Sequence, residues 1–209
     1  MENNTNKVPR LLISFVADNS ASMSDERLGE LIAAFRAFSA EIASCDWLEW
    51  ELITYDAFNP RVVKSFAREE IEPVFAGGFP LLGRGALFAA DRLAQRVADL
   101  REAGEEVHRP WLFLLSDGFT ADAVEESAVR LNEAEMRGDL IYLPFRFSGN
   151  PLCKKLSELD RMKHMVRILP DGVNGFFAFV KAMAEKRSAL PVGEGLKFAK
   201  SDFEGWAEL

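Results

Sequence analysis

The chain has 209 residues, of which 48% are hydrophobic and 28% are charged, and its formal net charge is −8. This length and composition suffice for one domain with a sizeable core, and the 17 Phe residues predict a core dominated by aromatic packing. The Lys and Arg residues are scattered rather than clustered, which argues against nucleic acid as the main partner.

The first residues, the length of the apolar stretches and the cysteines indicate the cellular location of the protein. Residues 1–8 are polar and are expected to be a flexible segment without the features of a signal peptide. No apolar stretch is long enough to span a bilayer, so we expect no membrane partner. Cys45 and Cys153 lie far apart and form no CxxC pair, which favours free thiols and a cytoplasmic location.

Strand and helix patterns alternate along residues 9–187, which predicts one α/β domain with a doubly wound, mostly parallel sheet and helices on both faces. Six strands are predicted, at Leu11–Ala17, Glu49–Tyr55, Arg61–Phe66, Trp111–Ser116, Leu140–Phe147 and Met165–Leu169. Helices are predicted at Asp25–Ser44, Ala86–Glu102, Ala121–Arg137, Pro151–Leu159 and Phe176–Arg187.

Two connections and the tail complete the predicted organisation. The short connection at 57–60 implies that the third strand is antiparallel to the second and lies at an edge of the sheet. Residues 76–85 are rich in Gly and are predicted to form a loop. The tail, residues 188–209, is broken by Pro and Gly but carries Phe198, Phe203 and Trp206. We expect it either to pack back on the domain or to dock a partner.

Polar oxygens follow two of the predicted strands. Asp18, Ser20 and Ser22 come after the first strand at every second position, and Asp117 ends the fourth. In a doubly wound sheet these strand ends are neighbours at the crevice where ligands bind. Two carboxylates brought together repel each other unless a cation lies between them, and hard oxygen ligands suit Mg²⁺ or Mn²⁺. The pattern therefore favours a metal site, with Asp56 at the end of the second strand as support behind the ligands.

Each of these features also has a structural interpretation. Ser22 and Asp25 match a capping box, in which Ser22 caps the first helix. Asp117 and Gly118 match an ordinary turn after a strand. Arg84, in the Gly-rich loop, is a candidate to neutralise the acids in place of a metal ion.

The segment Asp18-Asn19-Ser20-Ala21-Ser22 resembles the DxSxS signature of the metal-ion-dependent adhesion site in von Willebrand factor A (vWA) domains. The segment LFLLSDGFTAD at 112–122 is similar to the strand that carries the distant Asp of that site. ELITYDAF, RPWLFLLSDG and GFFAFVKAMAEKR resemble the bacterial TerY-type branch, which is named from tellurium-resistance operons. The similarity spans roughly residues 8–187.

The resemblance implies a Rossmann-like sheet and a site for Mg²⁺, with Mn²⁺ or Ca²⁺ as alternatives. Ser20 and Ser22 would hold the ion directly, with Asp18 and Asp117 close by, often through water. The resemblance further implies a non-enzymatic adaptor whose open coordination position accepts a carboxylate from a partner protein. The setting it suggests is bacterial stress response, such as tellurite resistance, or defence.

One position departs from the family pattern. The family carries a Thr in its third metal loop, commonly within GGTAL, whereas residues 83–87 of this chain read GRGAL, so that Gly85 stands at the Thr position. Gly has no side-chain oxygen. A water in its place would leave a weakened metal site, which is the favoured interpretation. Alternatively, Arg84 fills the cavity, pairs with Asp18 or Asp117 and makes partner binding independent of metal.

Two other functions stay open. In phosphatases of the haloacid dehalogenase type the first strand also ends in an Asp, and Ser116-Asp117-x4-Asp122 resembles their later acidic motif. Those enzymes need a second Asp as general acid at the position of Ser20. The second is a metal-free scaffold that binds partners through the aromatic tail. A hydrolase triad is not expected, because His108 and His164 precede strands and lie at the opposite edge of the sheet from the serines.

Overall fold

A computed structural model describes residues 7–55, 59–67, 70–118, 120–147 and 166–208. Within these residues the strands are β1 Leu11–Asp18, β2 Leu48–Tyr55, β3 Pro60–Lys64, β4 Trp111–Ser116, β5 Ile141–Phe147, β6 Val166–Ile168 and β7 Ala207–Glu208. The helices are α1 Asp25–Glu41, α2 Leu82–Glu102, α3 Glu125–Arg137 and α4 Val173–Ser188. The predicted helix at Pro151–Leu159 lies outside the described residues, as do Cys153 and His164.

The strands form one sheet in the order β3-β2-β1-β4-β5-β6-β7. The five inner strands run parallel, while β3 pairs antiparallel with β2 and β7 pairs antiparallel with β6. The doubly wound, mostly parallel α/β fold predicted from the sequence is confirmed, and so is the antiparallel edge strand β3. Within the described residues the sheet has seven strands rather than six, because the tail supplies β7 at the second edge.

Apolar side chains on the two faces of the sheet form separate clusters. Helices α1 and α4 cover one face, and helices α2 and α3 cover the other. Phe15 lies at the centre of the first cluster, with its ring centroid 5.3 Å from the stacked ring of Phe113 and 5.1 Å from the edge-on ring of Phe35. Such pairs stabilise a core beyond the burial of their area. The predicted aromatic core is confirmed on this face.

The end of the tail is part of this core. The Trp206 side chain is buried, its ring centroid lies 5.2 Å from that of Phe179, and its indole N–H donates to the Asp202 carbonyl at 2.9 Å. Gly175 makes room for the indole, because a Cβ atom there would lie 2.3 Å from the Trp206 Cβ. Trp206 therefore packs back on the domain and is not available to a partner.

His108 lies just before β4 at the amino-terminal edge of the sheet. Its ring is fully buried, and its Nδ1 lies 2.9 Å from Nη2 of Arg187, which is also buried. Burial, with the positive charge of Arg187, lowers the pKa of His108 to about 4. The role of His108 is therefore to pack β4 against the end of α4.

None of the described helices is long and apolar enough to cross a membrane.

Candidate metal centre

The carboxyl ends of β1, β2 and β4 bring three polar side chains side by side. In the strand register Asp18 pairs with Tyr55, and the pairing of Ala17 with Leu115 sets Asp18 beside Ser116. Side chains alternate along a strand, and Tyr55 belongs to the cluster under α2 and α3. Asp18 and Ser116 point to that same face, because each lies two residues after a residue of this cluster on its own strand.

The turn after β1 gathers oxygen atoms around a fully buried carboxylate. Asp18 Oδ1 accepts the Ser20 backbone N–H at 2.8 Å, and its Oδ2 accepts the Ser116 hydroxyl at 3.3 Å. The Ser20 hydroxyl lies 2.9 Å from the Ser22 hydroxyl. The structure therefore brings Asp18, Ser20 and Ser22 together, as the sequence pattern predicts.

Ser22 does not cap the first helix. The N-cap of α1 is Ser24, whose hydroxyl accepts the Arg27 backbone N–H at 3.4 Å. Ser22 is exposed, and its hydroxyl bonds to Ser20 instead. The capping-box interpretation of Ser22 and Asp25 is therefore wrong, and the Ser22 hydroxyl is placed where it can face a ligand.

The electrostatics of the site are dominated by the buried Asp18 carboxylate. Burial raises the pKa of Asp18 to about 6, and the negative charge of Asp117 adds to the rise, while the hydrogen bonds from Ser20 and Ser116 oppose it. Asp117 is itself 6% exposed. Among the described residues, no cationic side chain is one of the groups that act on Asp18. A divalent cation would remove the cost of this buried charge.

Arg84 does not supply that positive charge. Its side chain is exposed, and it forms no ion pair with Asp18 or Asp117 in the described part of the chain. Its backbone N–H donates to Asp122 Oδ2 at 3.0 Å. The alternative in which Arg84 fills the cavity is therefore not what the structure shows.

The loop after β4 holds the start of α2. Thr120 Oγ1 accepts the Leu82 backbone N–H at 3.1 Å, and Asp122 Oδ1 accepts that of Gly83 at 3.3 Å. These bonds satisfy amide groups that a helix start leaves without partners, so α2 begins at Leu82 rather than at the predicted Ala86. Arg84 and Gly85 thus lie in the first turn of a helix and not in a loop.

Gly85 lies against an aromatic ring. A Cβ atom at Gly85 would lie 3.1 Å from Cδ1 of Tyr55 and 3.2 Å from its Cβ and Cγ. The Tyr55 ring therefore occupies the space that a Thr side chain would need. Sequence reasoning missed Tyr55, since it ends an apolar strand and is indistinguishable there from a core residue, and it noted Ser116 only as part of the phosphatase-like motif.

The donor set fits a hard cation. Within the described residues no three His, Cys, Asp or Glu side chains come together as a metal cluster, so the candidate ligands are two carboxylates and two hydroxyls. In an octahedral Mg²⁺ shell with oxygens at about 2.0–2.1 Å, adjacent oxygens lie about 2.9 Å apart. The 2.9 Å between the hydroxyls of Ser20 and Ser22 is the length of their hydrogen bond, and it is also compatible with adjacent positions in such a shell. Asp56, expected as support, lies outside the described residues.

No family model and no curated protein matches this chain. Solved structures do match it. The SpRpn10 VWA domain superposes with a TM-score of 0.54 at 14% sequence identity, over 91% of this chain and 100% of that domain. The chain has a von Willebrand factor A-like fold.

Two further structures resemble this vWA-like fold. The PilB minor pilin from Streptococcus sanguinis superposes with a TM-score of 0.60 at 11% identity, over 90% of this chain. The match covers 65% of the pilin, so the chain spans less than two thirds of that protein. A manganese-loaded TRAP protein from Plasmodium vivax aligns over 66% of this chain and 57% of that one, at 13% identity and a TM-score of 0.49. That likeness is too weak to support an inference.

Exposed aromatic rings flank the crevice of the vWA-like domain. Phe75 and Phe79 are 75% and 68% exposed. They lie on the loop before α2, which is tied to the turn after β1: the Asn19 side-chain amide donates to the Phe75 carbonyl at 3.1 Å, and the Gly77 N–H donates to the Asn19 carbonyl at 2.8 Å. The loop before α2 therefore exposes two aromatic rings and is anchored to the turn after β1.

Proposed function

We propose that this chain is a non-enzymatic, protein-binding adaptor that holds Mg²⁺ at Asp18, Ser20, Ser22 and Asp117. The observation that carries the proposal is the fully buried carboxylate of Asp18, which lies near a second carboxylate and beside serine hydroxyls. Such a group is unfavourable in a folded protein unless a positive charge offsets it. Mn²⁺ or Ca²⁺ could take the same oxygen ligands, and Gly85 contributes no side-chain oxygen to them.

The proposed partner is a protein that offers a carboxylate to the cation. The rings of Phe75 and Phe79 favour an acidic residue flanked by apolar side chains, because the ion would attract the charge while the rings bury the neighbours. We place the adaptor in the cytoplasm, where the unpaired thiol of Cys45 would stay reduced. Bacterial stress response or tellurite resistance is the proposed setting, on the strength of the TerY resemblance.

The alternatives have less support. Asp122, which a phosphatase of the haloacid dehalogenase type would use at its metal, accepts backbone N–H groups of α2 instead. The general acid of such an enzyme would stand at Ser20, which cannot serve as one. A scaffold that binds through its aromatic tail would have one exposed ring to offer, that of Phe198 at 36%, because Trp206 is only 7% exposed.

Calorimetric titration of Mg²⁺ into the chelator-treated protein tests the proposed site. We expect binding by the wild type and none by Asp18→Ala. Asp25→Ala is the matched control, because this exposed carboxylate begins α1 a few residues after Asp18, and the variant should bind Mg²⁺ as the wild type does. Absence of binding by the wild type at millimolar cation would contradict the proposal.

Retention of proteins on the immobilised chain tests the adaptor role. Partners should bind in Mg²⁺, elute with chelator and be absent from Asp18→Ala. A variant with Phe75→Ser and Phe79→Ser should retain Mg²⁺ affinity and lose the partners. Retention that chelator does not alter would contradict a metal-dependent adaptor.

A further inference from the structure

Tyr55 carries a buried hydroxyl that the fold does not use. The side chain is fully buried, and the hydroxyl has no hydrogen-bond partner among the described residues. The Ser116 hydroxyl lies near enough to lower the pKa of Tyr55, as a hydrogen-bond donor would, but the two hydroxyls do not have the geometry of a hydrogen bond. A buried hydroxyl without a partner costs free energy, so its retention needs an explanation.

The hydroxyl faces the acidic crevice. Tyr55 pairs with Asp18 in the strand register, on the side of the sheet under α2. After burial, the largest influence that raises the pKa of Tyr55 is the negative charge of Asp18, and Asp117 contributes as well. Both candidate carboxylates of the metal site therefore act on this hydroxyl.

The ring of Tyr55 also fills the space at Gly85, where a Cβ atom would lie 3.1–3.2 Å from ring and Cβ carbons of the tyrosine. One side chain thus occupies the volume beside α2, on the strand position paired with Asp18, and carries an oxygen on which the charge of Asp18 acts. A tyrosine hydroxyl can both donate and accept a hydrogen bond, and Mg²⁺ in proteins usually keeps several of its waters.

We infer that the Tyr55 hydroxyl takes the place of the side-chain oxygen that Gly85 lacks, by hydrogen-bonding to the hydration shell of the bound cation. Tyr55 is then a positioning residue of the site, which acts on the ion through water. The inference rests on the proposed metal site. If Tyr55 only filled space, removal of its hydroxyl would leave the affinity for the cation unchanged.

Tyr55→Phe and Tyr142→Phe form a matched pair for the test. The chain has only these two tyrosines, and Tyr142 is also buried, under the same helices, with its hydroxyl bonded to Asn132 Oδ1 at 3.0 Å. Removal of an outer-shell partner typically weakens metal binding by about tenfold or more. We expect Tyr55→Phe to weaken Mg²⁺ and Mn²⁺ binding by about tenfold in calorimetry, and Tyr142→Phe to leave it unchanged.

Two readouts do not depend on affinity. In protein labelled with ¹³C at the tyrosine Cζ, Mg²⁺ should shift the Tyr55 resonance, assigned from Tyr55→Phe, and leave the Tyr142 resonance in place. Without cation, Tyr55→Phe should unfold at a temperature no lower than the wild type, because no hydrogen bond is lost, whereas Tyr142→Phe should unfold earlier.

The outcomes separate the two proposals. If the wild type binds Mg²⁺ while the Tyr55 resonance stays fixed and Tyr55→Phe binds equally well, the inference is overturned and the metal site stands. If the wild type binds no cation, the metal site and the inference fall together.

Discussion

Asp18→Asn provides a quantitative test of the cost of the buried carboxylate. The pKa of Asp18 rises from an ordinary value of 3.8 to about 6, a rise of about two units, and each unit corresponds to about 1.4 kcal/mol. The ionised side chain therefore lowers the stability of the cation-free protein at pH 7 by about 3 kcal/mol. Asn keeps the oxygen that accepts the Ser20 N–H, and its amide group can donate to the Ser116 hydroxyl.

The sign follows from proton binding. The folded state holds the Asp18 proton more tightly than the unfolded chain does, so the cost is fully present above pH 6, shrinks as the pH falls from 6 to 3.8, and is absent below 3.8. We expect Asp18→Asn to be more stable than the wild type by up to about 3 kcal/mol at pH 7, with the difference vanishing near pH 4.

Urea unfolding in the presence of chelator, at pH 7 and pH 4, measures this difference. Asp25→Asn is the control and should show no gain at pH 7, because that carboxylate is exposed. With Mg²⁺ at a hundred times its dissociation constant, the wild type should gain about 2.7 kcal/mol and Asp18→Asn should gain nothing. If Asp18→Asn is less stable than the wild type at pH 7 in chelator, the carboxylate is already compensated by the protein and the argument for a cation fails.

Three further substitutions test other parts of the structure. Gly85→Thr should lower the free energy of unfolding by about 1–3 kcal/mol in urea, because its side chain would press on the Tyr55 ring; an unchanged midpoint would show that the ring yields freely. Arg92→Met should lower the free energy of unfolding at pH 7 by about 3 kcal/mol, because it leaves the buried carboxylate of Glu51 without the guanidinium 2.8 Å away. No measurable change would show that Glu51 is already neutral. His108→Gln should reduce the loss of stability between pH 6.5 and 4. The fold favours the neutral imidazole of His108, which becomes protonated on unfolding in that pH range. Equal acid sensitivity of variant and wild type in urea unfolding would contradict this.

The sequence predicts the sheet well because its signals are local. The apolar run at Leu11–Asp18 and the alternation of strands with helices are enough to predict parallel strands and the adjacency of β1 and β4. The strand β7 escapes such reasoning, because it has only two residues and depends on the packing of Trp206 against Gly175. That contact joins parts of the chain whose proximity no local pattern reveals.

The site is predicted only in part, for a similar reason. The spacing of Asp18, Ser20 and Ser22 within one turn is visible in the sequence, and the structure brings their oxygens together. The role proposed for Tyr55 depends on the register of β2 against β1, which the sequence does not specify. The early start of α2 depends on Asp122, whose carboxylate comes from a distant loop.

The most direct test of the central claim is the binding of Mn²⁺ followed by electron paramagnetic resonance, in which free Mn²⁺ gives a signal that bound Mn²⁺ loses. The wild type should remove one Mn²⁺ per chain from solution, Mg²⁺ should compete for the site, and Asp18→Ala should remove none. A wild-type chain that leaves the Mn²⁺ signal unchanged, or an Asp18→Ala variant that removes the ion equally well, would contradict a metal centre at the ends of β1 and β4.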